Sequence, residues 1–305
     1  MLTLAAALLL SPVSTPVELA ATPAPLHGTL LTPEGQTRAA AVILPGSGPT
    51  DRDGNSAQFG IRAASYRLLA EGLAQRGVAS IRIDKRGIGE SAAAGPAEAD
   101  LRFSTYAADA RAWAAEAAAK TGRPCAWLIG HSEGALVALA AVANEDHKVC
   151  GLVLLSGAGR PAGAVLREQL ATLPEPLKTQ AYEAVAELEA GRTVADSPAS
   201  LAALFRPSVQ PYLISWLALD PAKLAAAFDG PIFIGQGSTD IQVSMADAEA
   251  IKTAQPRADL VVWDGVNHVL KTAPADRAAN VAAYMNPALP LAPGVVEAVA
   301  GFVLK

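Results

Sequence analysis

The chain is poor in features that bind metals, nucleic acids or membranes. It has only two cysteines in 305 residues, and they do not have the spacing of a metal site. Acidic residues (29) outnumber Lys and Arg (24) and there is no long basic run, so a nucleic-acid partner is not expected. No stretch reaches the roughly 18 apolar residues that a membrane span requires. The sequence therefore predicts no metal, no organic cofactor, no nucleic acid and no transmembrane segment.

Apolar residues are abundant, at 51%, and many are alanine, which favours helices packed on a sheet. Strands are predicted at 39–44, 79–83, 124–129, 149–155, 231–234 and 260–263, after a short hairpin formed by 17–19 and 26–31. Helices are predicted at 63–75, 104–120, 132–144 and 244–254. Because the strand segments are apolar throughout, they are typical of a parallel sheet covered on both faces.

Residues 160–227 interrupt this alternation. Their pattern is helical and broken by prolines, with the clearest helices at 181–190 and 212–219. A block of that size between two strands predicts an inserted helical cap.

The N-terminus resembles a secretory leader. Residues 2–10 are apolar except for Thr3, and Ser11, Pro12 and small residues follow, although no Lys or Arg precedes the block. We expect export to the periplasm or the medium. The alternative is an apolar tail on a cytoplasmic protein.

Cys125 and Cys150 each lie near the start of a predicted strand. If those strands are parallel neighbours, the two thiols are close in space, and a disulfide would suit an exported protein. The alternative is two small buried hydrophobic residues.

Residues 130–134 (GHSEG) carry the clearest chemical signal. They match G-x-S-x-G and stand between a predicted strand and a predicted helix, which is the setting of a nucleophile elbow. Glycines let the strand and helix approach closely enough to hold Ser132 in a strained turn. We therefore predict that Ser132 is a nucleophile; the alternative is a plain glycine-rich loop.

A nucleophilic serine needs a base, and the base needs an orienting acid. His268 follows the last predicted strand, at the sheet edge where sites form in open α/β sheets, so it is the predicted base. The other histidines lie in the elbow, the hairpin and a polar loop (His131, His27 and His147). Asp240 follows the strand at 231–234 and is the predicted acid, whereas Asp264 is expected to shape a turn.

An oxyanion hole needs two backbone N–H groups directed at one point. One is predicted from Glu133, directly after the nucleophile. The other is predicted from Ser47, in the loop PGSGP at 45–49, although a simple Gly/Pro turn is the alternative. The Glu133 carboxylate is expected to form a local pair or cap.

Several segments resemble the α/β-hydrolase superfamily. PGSG at 45–48 is similar to its His-Gly-x-Gly oxyanion segment, with proline in place of histidine, and DKRGIGES at 84–91 is similar to its D-x-R-G-x-G-x-S turn. That resemblance implies structural roles for Asp84 and Arg86. Residues 48–54, 207–212, 239–243 and 267–271 resemble a bacterial carboxylesterase branch near the serine aminopeptidase-like hydrolases.

The resemblance implies an α/β fold: an α/β-hydrolase with a mostly parallel eight-stranded sheet, helices on both faces and a helical cap. The expected division is a leader or disordered segment at 1–16, a core at 17–158 and 228–305, and a cap at 159–227.

The implied activity is cleavage of small-molecule carboxylic esters with short to medium acyl chains, without a cofactor. Cap aromatics could line the acyl pocket or equally form the core of the cap; they are Tyr182, Phe205, Tyr212 and Trp216. Alternatives are a peptidase or amidase, with a cap carboxylate (Glu168, Glu175, Glu183 or Glu187) holding an amine, and a non-catalytic binding protein on the same fold. The oligomeric state is left open.

Overall fold

The computed structural model describes residues 11–143, 147–195 and 197–305, so the predicted end of the helix at 132–144 lies outside the described residues. So do residues 1–10 of the leader or disordered segment predicted at 1–16. The strands are β1 Val13–Leu19, β2 Leu26–Thr32, β3 Ala39–Leu44, β4 Asn55–Ser56, β5 Ile61–Arg62, β6 Val78–Ile83, β7 Ala126–His131, β8 Val149–Leu155, β9 Ile232–Gly237 and β10 Asp259–Trp263. The end of the leader prediction is wrong, because residues 13–16 belong to β1 and pair with β2.

Eight of these strands form one sheet in the order β1-β2-β6-β3-β7-β8-β9-β10. β2 pairs antiparallel with β1 and with β6, and every other neighbouring pair is parallel. The predicted N-terminal hairpin and mostly parallel eight-stranded sheet are confirmed. The small antiparallel pair β4–β5 was not predicted from the sequence.

Helices cover both faces of the sheet. They are α1 Ser65–Ala74, α2 Phe103–Thr121, α3 Glu133–Ala141, α4 Ala162–Leu170, α5 Leu177–Glu189, α6 Ala202–Phe205, α7 Gln210–Leu217, α8 Pro221–Ala227, α9 Met245–Ala254, α10 Arg277–Tyr284 and α11 Val295–Val303. Buried side chains of α2, α3, α8 and α9 share one apolar cluster with one face of the sheet. Those of α1 and α11 share another cluster with the opposite face.

Helices α4 to α8 lie between β8 and β9, in the segment predicted as a cap. Their buried side chains belong to the same apolar cluster as α2 and α3, and α7 contacts α2 directly. This segment is therefore packed onto the α2–α3 face of the molecule.

A disulfide joins Cys125 and Cys150, whose Cα atoms are 5.3 Å apart. The bond is possible because β7 and β8, which begin beside these residues, are parallel neighbours. Of the two alternatives that the sequence left open, a disulfide or two free buried thiols, the structure shows the disulfide. Among the described helices, none is long and apolar enough to cross a membrane.

Candidate active site

The turn at Ser132 has the backbone geometry predicted for a nucleophile elbow. Ser132 stands between the end of β7 and the start of α3 with φ 55° and ψ −122°, a strained conformation for a residue with a side chain. A Cβ at Gly130 would collide with the backbone of Gly134, and a Cβ at Gly134 would collide with the Leu44 carbonyl oxygen. Gly130 thus lets β7 approach the start of α3, and Gly134 lets α3 approach the end of β3.

The predicted base and acid meet at the same edge of the sheet. Asp240 follows β9 and His268 follows β10, and the carboxyl ends of these parallel neighbours lie side by side. His268 Nδ1 is 2.8 Å from Asp240 Oδ2, and the side chains are only 6% and 1% exposed. The other carboxylate oxygen, Oδ1, accepts hydrogen bonds from the backbone N–H groups of Gln242 and Val243 at 2.8 and 3.0 Å.

The charge on Asp240 fixes which nitrogen of the His268 imidazole carries a proton. Burial raises the pKa of Asp240, but the neighbouring His268 and the hydrogen bonds to the carboxylate outweigh burial and lower the pKa below its usual range. An ionised Asp240 only accepts, so Nδ1 of His268 carries a proton. Nε2 of neutral His268 is then free to accept a proton.

The loop that carries His268 is tightly held. Asn267 and Lys271 bond to each other twice, through Asn267 N–H to the Lys271 carbonyl and through Lys271 N–H to Asn267 Oδ1. The carbonyl of Val269, the residue after His268, accepts a hydrogen bond of 2.7 Å from the Ser65 hydroxyl. The position of His268 is therefore set by the loop backbone as well as by Asp240.

The loop after β3 approaches the elbow. A Cβ at Gly46 would lie 3.2 Å from the Ser132 Cβ, closer than side chains ordinarily pack, so the absence of a side chain at Gly46 favours this close approach. Within the described residues, no acceptor is found for the N–H of Ser47 or for the N–H of Glu133. The backbone N–H groups of Ser47 and Glu133, predicted to form an oxyanion hole, are thus free of other acceptors in this part of the structure.

Lys85 has a place at this site that the sequence analysis did not predict. Its ammonium donates a hydrogen bond of 2.6 Å to the Gly46 carbonyl and lies 3.7 Å from the Glu133 carboxylate. Burial lowers the pKa of Lys85, and the Glu133 carboxylate opposes that shift. Glu133 forms a local pair, as expected. The sequence did contain one clue to this pairing. Glu133 occupies the second variable position of G-x-S-x-G, and a carboxylate buried there needs a cation beside it.

His131 is the second residue whose role was missed. Its Nε2 is 2.7 Å from the His268 carbonyl oxygen, which can only accept, so Nε2 carries the proton and Nδ1 accepts from the Tyr66 hydroxyl at 2.8 Å. Burial, followed by the neighbouring His268, lowers the pKa of His131 to about 3. A neutral His131 therefore connects the elbow to the backbone of His268.

The cap aromatics occupy different places. The Tyr182 hydroxyl donates to the Arg167 carbonyl within the cap, and Phe205 has no exposed surface and packs in the core. Tyr212 is closer to the site, because it packs against Tyr106, whose ring lies under the Lys85 ammonium. Trp216 is half-buried against the same core cluster. Tyr182 and Phe205 are thus packing residues, the alternative to a role in the acyl pocket, whereas Tyr212 lies beside the candidate site.

The remaining candidates have local roles. Asp264 accepts from the Ser238 hydroxyl and is not bonded to His268. Asp84 accepts three hydrogen bonds from Arg52 and one from the Glu90 N–H, so it ties neighbouring loops together. Arg86 pairs with Asp109 through two hydrogen bonds. The described part of the chain contains no cluster of His, Cys, Asp and Glu that could hold a metal ion.

Comparison of the sequence with models of known protein families identifies the superfamily of this chain. The model of the family described as serine aminopeptidase, S33, matches residues 59–272, well over half of the chain. The chain belongs to this family. It is therefore an α/β-hydrolase, and the match includes Ser132, Asp240 and His268. No curated protein matches this α/β-hydrolase.

Solved structures similar to this α/β-hydrolase include several esterases. Est1E from Butyrivibrio proteoclasticus, solved with ferulic acid, is 18% identical, with a TM-score of 0.60 over 94% of this chain and 96% of that one. The esterase domain of a Rhodothermus marinus protein is 19% identical, with a TM-score of 0.56 over 95% and 99%. Esterase Pf2001 from Pyrococcus furiosus is 19% identical, with a TM-score of 0.53 over 85% of each chain. At these identities the likeness establishes the shared fold.

Proposed function

We propose that this α/β-hydrolase is a carboxylesterase that cleaves small-molecule esters of short to medium acyl chains. Ser132 Oγ attacks the ester carbonyl, while His268 Nε2 takes the hydroxyl proton and returns it to the leaving alcohol. Water then attacks the acyl-enzyme with His268 as base, the bond between the acyl carbon and Ser132 Oγ breaks, and His268 returns the proton to Oγ as the carboxylic acid leaves. Asp240 orients His268 and stabilises the imidazolium.

The N–H groups of Ser47 and Glu133 bind the oxyanion of both tetrahedral intermediates. The observation that carries the proposal is the buried 2.8 Å hydrogen bond between His268 and an ionised Asp240, at the same sheet edge as a strained Ser132. A hydrogen bond of that kind fixes the tautomer that a general base needs, because Nε2 is left without a proton. The esterase names of structural relatives support the substrate class.

The rival activity is aminopeptidase or amidase action, which the family description favours. An aminopeptidase needs a free carboxylate to hold the substrate amine. Three of the four cap carboxylates considered for this role are already paired with cations: Glu168 with Arg160, Glu175 with Lys178, and Glu187 with Arg192. The fourth, Glu183, is exposed on α5. These pairings favour the esterase.

Turnover of p-nitrophenyl esters from acetate to decanoate, beside aminoacyl p-nitroanilides, tests the proposal. We expect hydrolysis of the shorter esters, with Ser132→Ala as the inactive control. Cleavage of the anilides alone would replace the esterase with the peptidase. No turnover of either substrate class would favour the non-catalytic alternative.

We also propose that the protein is exported. The Cys125–Cys150 disulfide supports this location, because such bonds persist in oxidising compartments. N-terminal sequencing of the protein from a cell fractionation should find it outside the cytoplasm with the apolar segment at 2–10 removed and β1, which begins at Val13, retained. An intact N-terminus in the cytoplasmic fraction would contradict export.

A further inference from the structure

Gly46 is held from two sides by side chains that the proposed mechanism does not use. Its N–H donates to the Tyr66 hydroxyl oxygen at 3.0 Å, and its carbonyl accepts from Lys85 Nζ at 2.6 Å. The glycine itself is buried against Ser132. The next residues, Ser47 and Gly48, are exposed. The loop therefore passes from a fixed point at Gly46 to a free surface turn.

The carbonyl that Lys85 holds belongs to the same peptide unit as the Ser47 N–H. In a trans peptide the C=O and N–H bonds point in opposite directions within one plane. Fixing the Gly46 carbonyl on Lys85 therefore fixes the direction of the Ser47 N–H, away from the lysine. Within the described residues, the side-chain hydrogen bond to Ser47 is that from the Thr50 hydroxyl, and it reaches the following peptide unit.

Lys85 connects the two donors of the proposed oxyanion hole. It follows β6, Gly46 follows β3 and Glu133 follows β7, and these strands are consecutive in the sheet. The ammonium reaches the Gly46 carbonyl and lies 3.7 Å from the Glu133 carboxylate, and the side chains of the pair are 9% and 7% exposed. One cation thus contacts the residue that supplies one donor and the peptide unit that supplies the other.

We propose that Lys85 is a positioning residue for the oxyanion hole: it fixes the Gly46–Ser47 peptide unit relative to the elbow, so that the Ser47 N–H is directed at the oxyanion. The proposal rests on the proposed function, since it assigns a role within that same site. Glu133 provides the countercharge that keeps a buried ammonium at this position.

The test is a pair of variants, Lys85→Met and Lys85→Met/Glu133→Gln. Methionine keeps the length of the side chain without its donor, and the double variant leaves no buried charge unpaired, so it is expected to fold. Lys252→Met is the matched control. That lysine also donates to backbone carbonyls, those of Pro256 and Ala258, but at the opposite edge of the sheet.

Activity is measured as kcat and KM for p-nitrophenyl butyrate, per active site titrated with a fluorophosphonate, beside the dissociation constant of a trifluoromethyl ketone that forms a tetrahedral oxyanion. Loss of one oxyanion donor costs about 100- to 1,000-fold in kcat, so a donor that is misdirected but present should cost about 10- to 100-fold. We expect that loss in both variants, with KM changed less than about threefold and with ketone binding weakened by a similar factor. The control should match the wild type.

Wild-type kcat and ketone affinity in the double variant would overturn the positioning role, even if Lys85→Met alone were impaired, because the damage would then come from an unpaired Glu133. A raised KM with unchanged kcat would also overturn it. Neither result would affect the proposed esterase activity, which is tested by turnover of the wild type and its loss in Ser132→Ala.

Discussion

The change Asp240→Asn tests the charge relationship at the centre of the site. Asp240 Oδ1 accepts two backbone N–H groups, those of Gln242 and Val243. In the variant, the amide oxygen should keep these two bonds, because an amide NH2 group placed there would face two donors. The NH2 group would then face Nδ1 of His268 and donate to it. The proton of neutral His268 would move to Nε2, where the imidazole can no longer accept the Ser132 proton.

A wrong tautomer of this kind lowers kcat by about 10,000-fold in serine hydrolases with the same triad, which corresponds to about 5 kcal/mol of transition-state stabilisation. We expect a loss of that order in kcat for p-nitrophenyl butyrate, with the thermal unfolding temperature little changed. Asp264→Asn is the matched control and should keep wild-type turnover, since Asp264 bonds to Ser238. If Asp240→Asn retained a tenth of wild-type kcat, the assignment of Asp240 would be wrong.

Three further predictions concern stability. His131 is buried with its pKa lowered to about 3, whereas its unfolded value is 6.5, so only the unfolded state gains a proton between these values and stability falls as the pH falls. The loss at pH 4.5 relative to pH 7.5 should be about 3 kcal/mol larger in the wild type than in His131→Gln, and equal losses in urea unfolding would refute the buried neutral imidazole. Replacing Cys125 and Cys150 by serine opens a loop with a sequence separation of 25 and should cost about 3 kcal/mol, whereas an unchanged urea midpoint would contradict a formed disulfide. Gly134→Ala places a methyl group against the Leu44 carbonyl oxygen, so it should lower both the unfolding temperature and kcat, and wild-type values for both would contradict the close approach of α3 and β3.

The parts of the site that the sequence could predict depend on local rules. G-x-S-x-G between a strand and a helix predicts the elbow because Gly130 lies against the backbone of Gly134, a contact within the motif itself. Asp240 and His268 could be predicted because both follow parallel strands, and the carboxyl ends of such strands share an edge. The same rule, applied to the opposite edge, made the disulfide one of two alternatives, and the structure shows the bridged one.

The parts that could not be predicted depend on which strands are neighbours. Lys85 meets Gly46 and Glu133 only because β3 lies between β6 and β7 in the sheet, an order that the chain sequence does not state. Tyr66 meets His131 for a similar reason, since α1 and the elbow come together through tertiary packing. The cap aromatics were ambiguous because an apolar helix face packs equally well on a core or around a substrate, and Phe205 is in the core.

A nucleophilic Ser132 is tested most directly by mapping the site of covalent labelling. The folded protein is treated with a fluorophosphonate and digested, and the modified residue is identified by mass spectrometry. We predict one equivalent of label on Ser132, none in Ser132→Ala, and labelling of Asp240→Asn slowed by orders of magnitude. A label on a different residue, or a wild-type protein that is not labelled although it is folded, would contradict a nucleophilic Ser132.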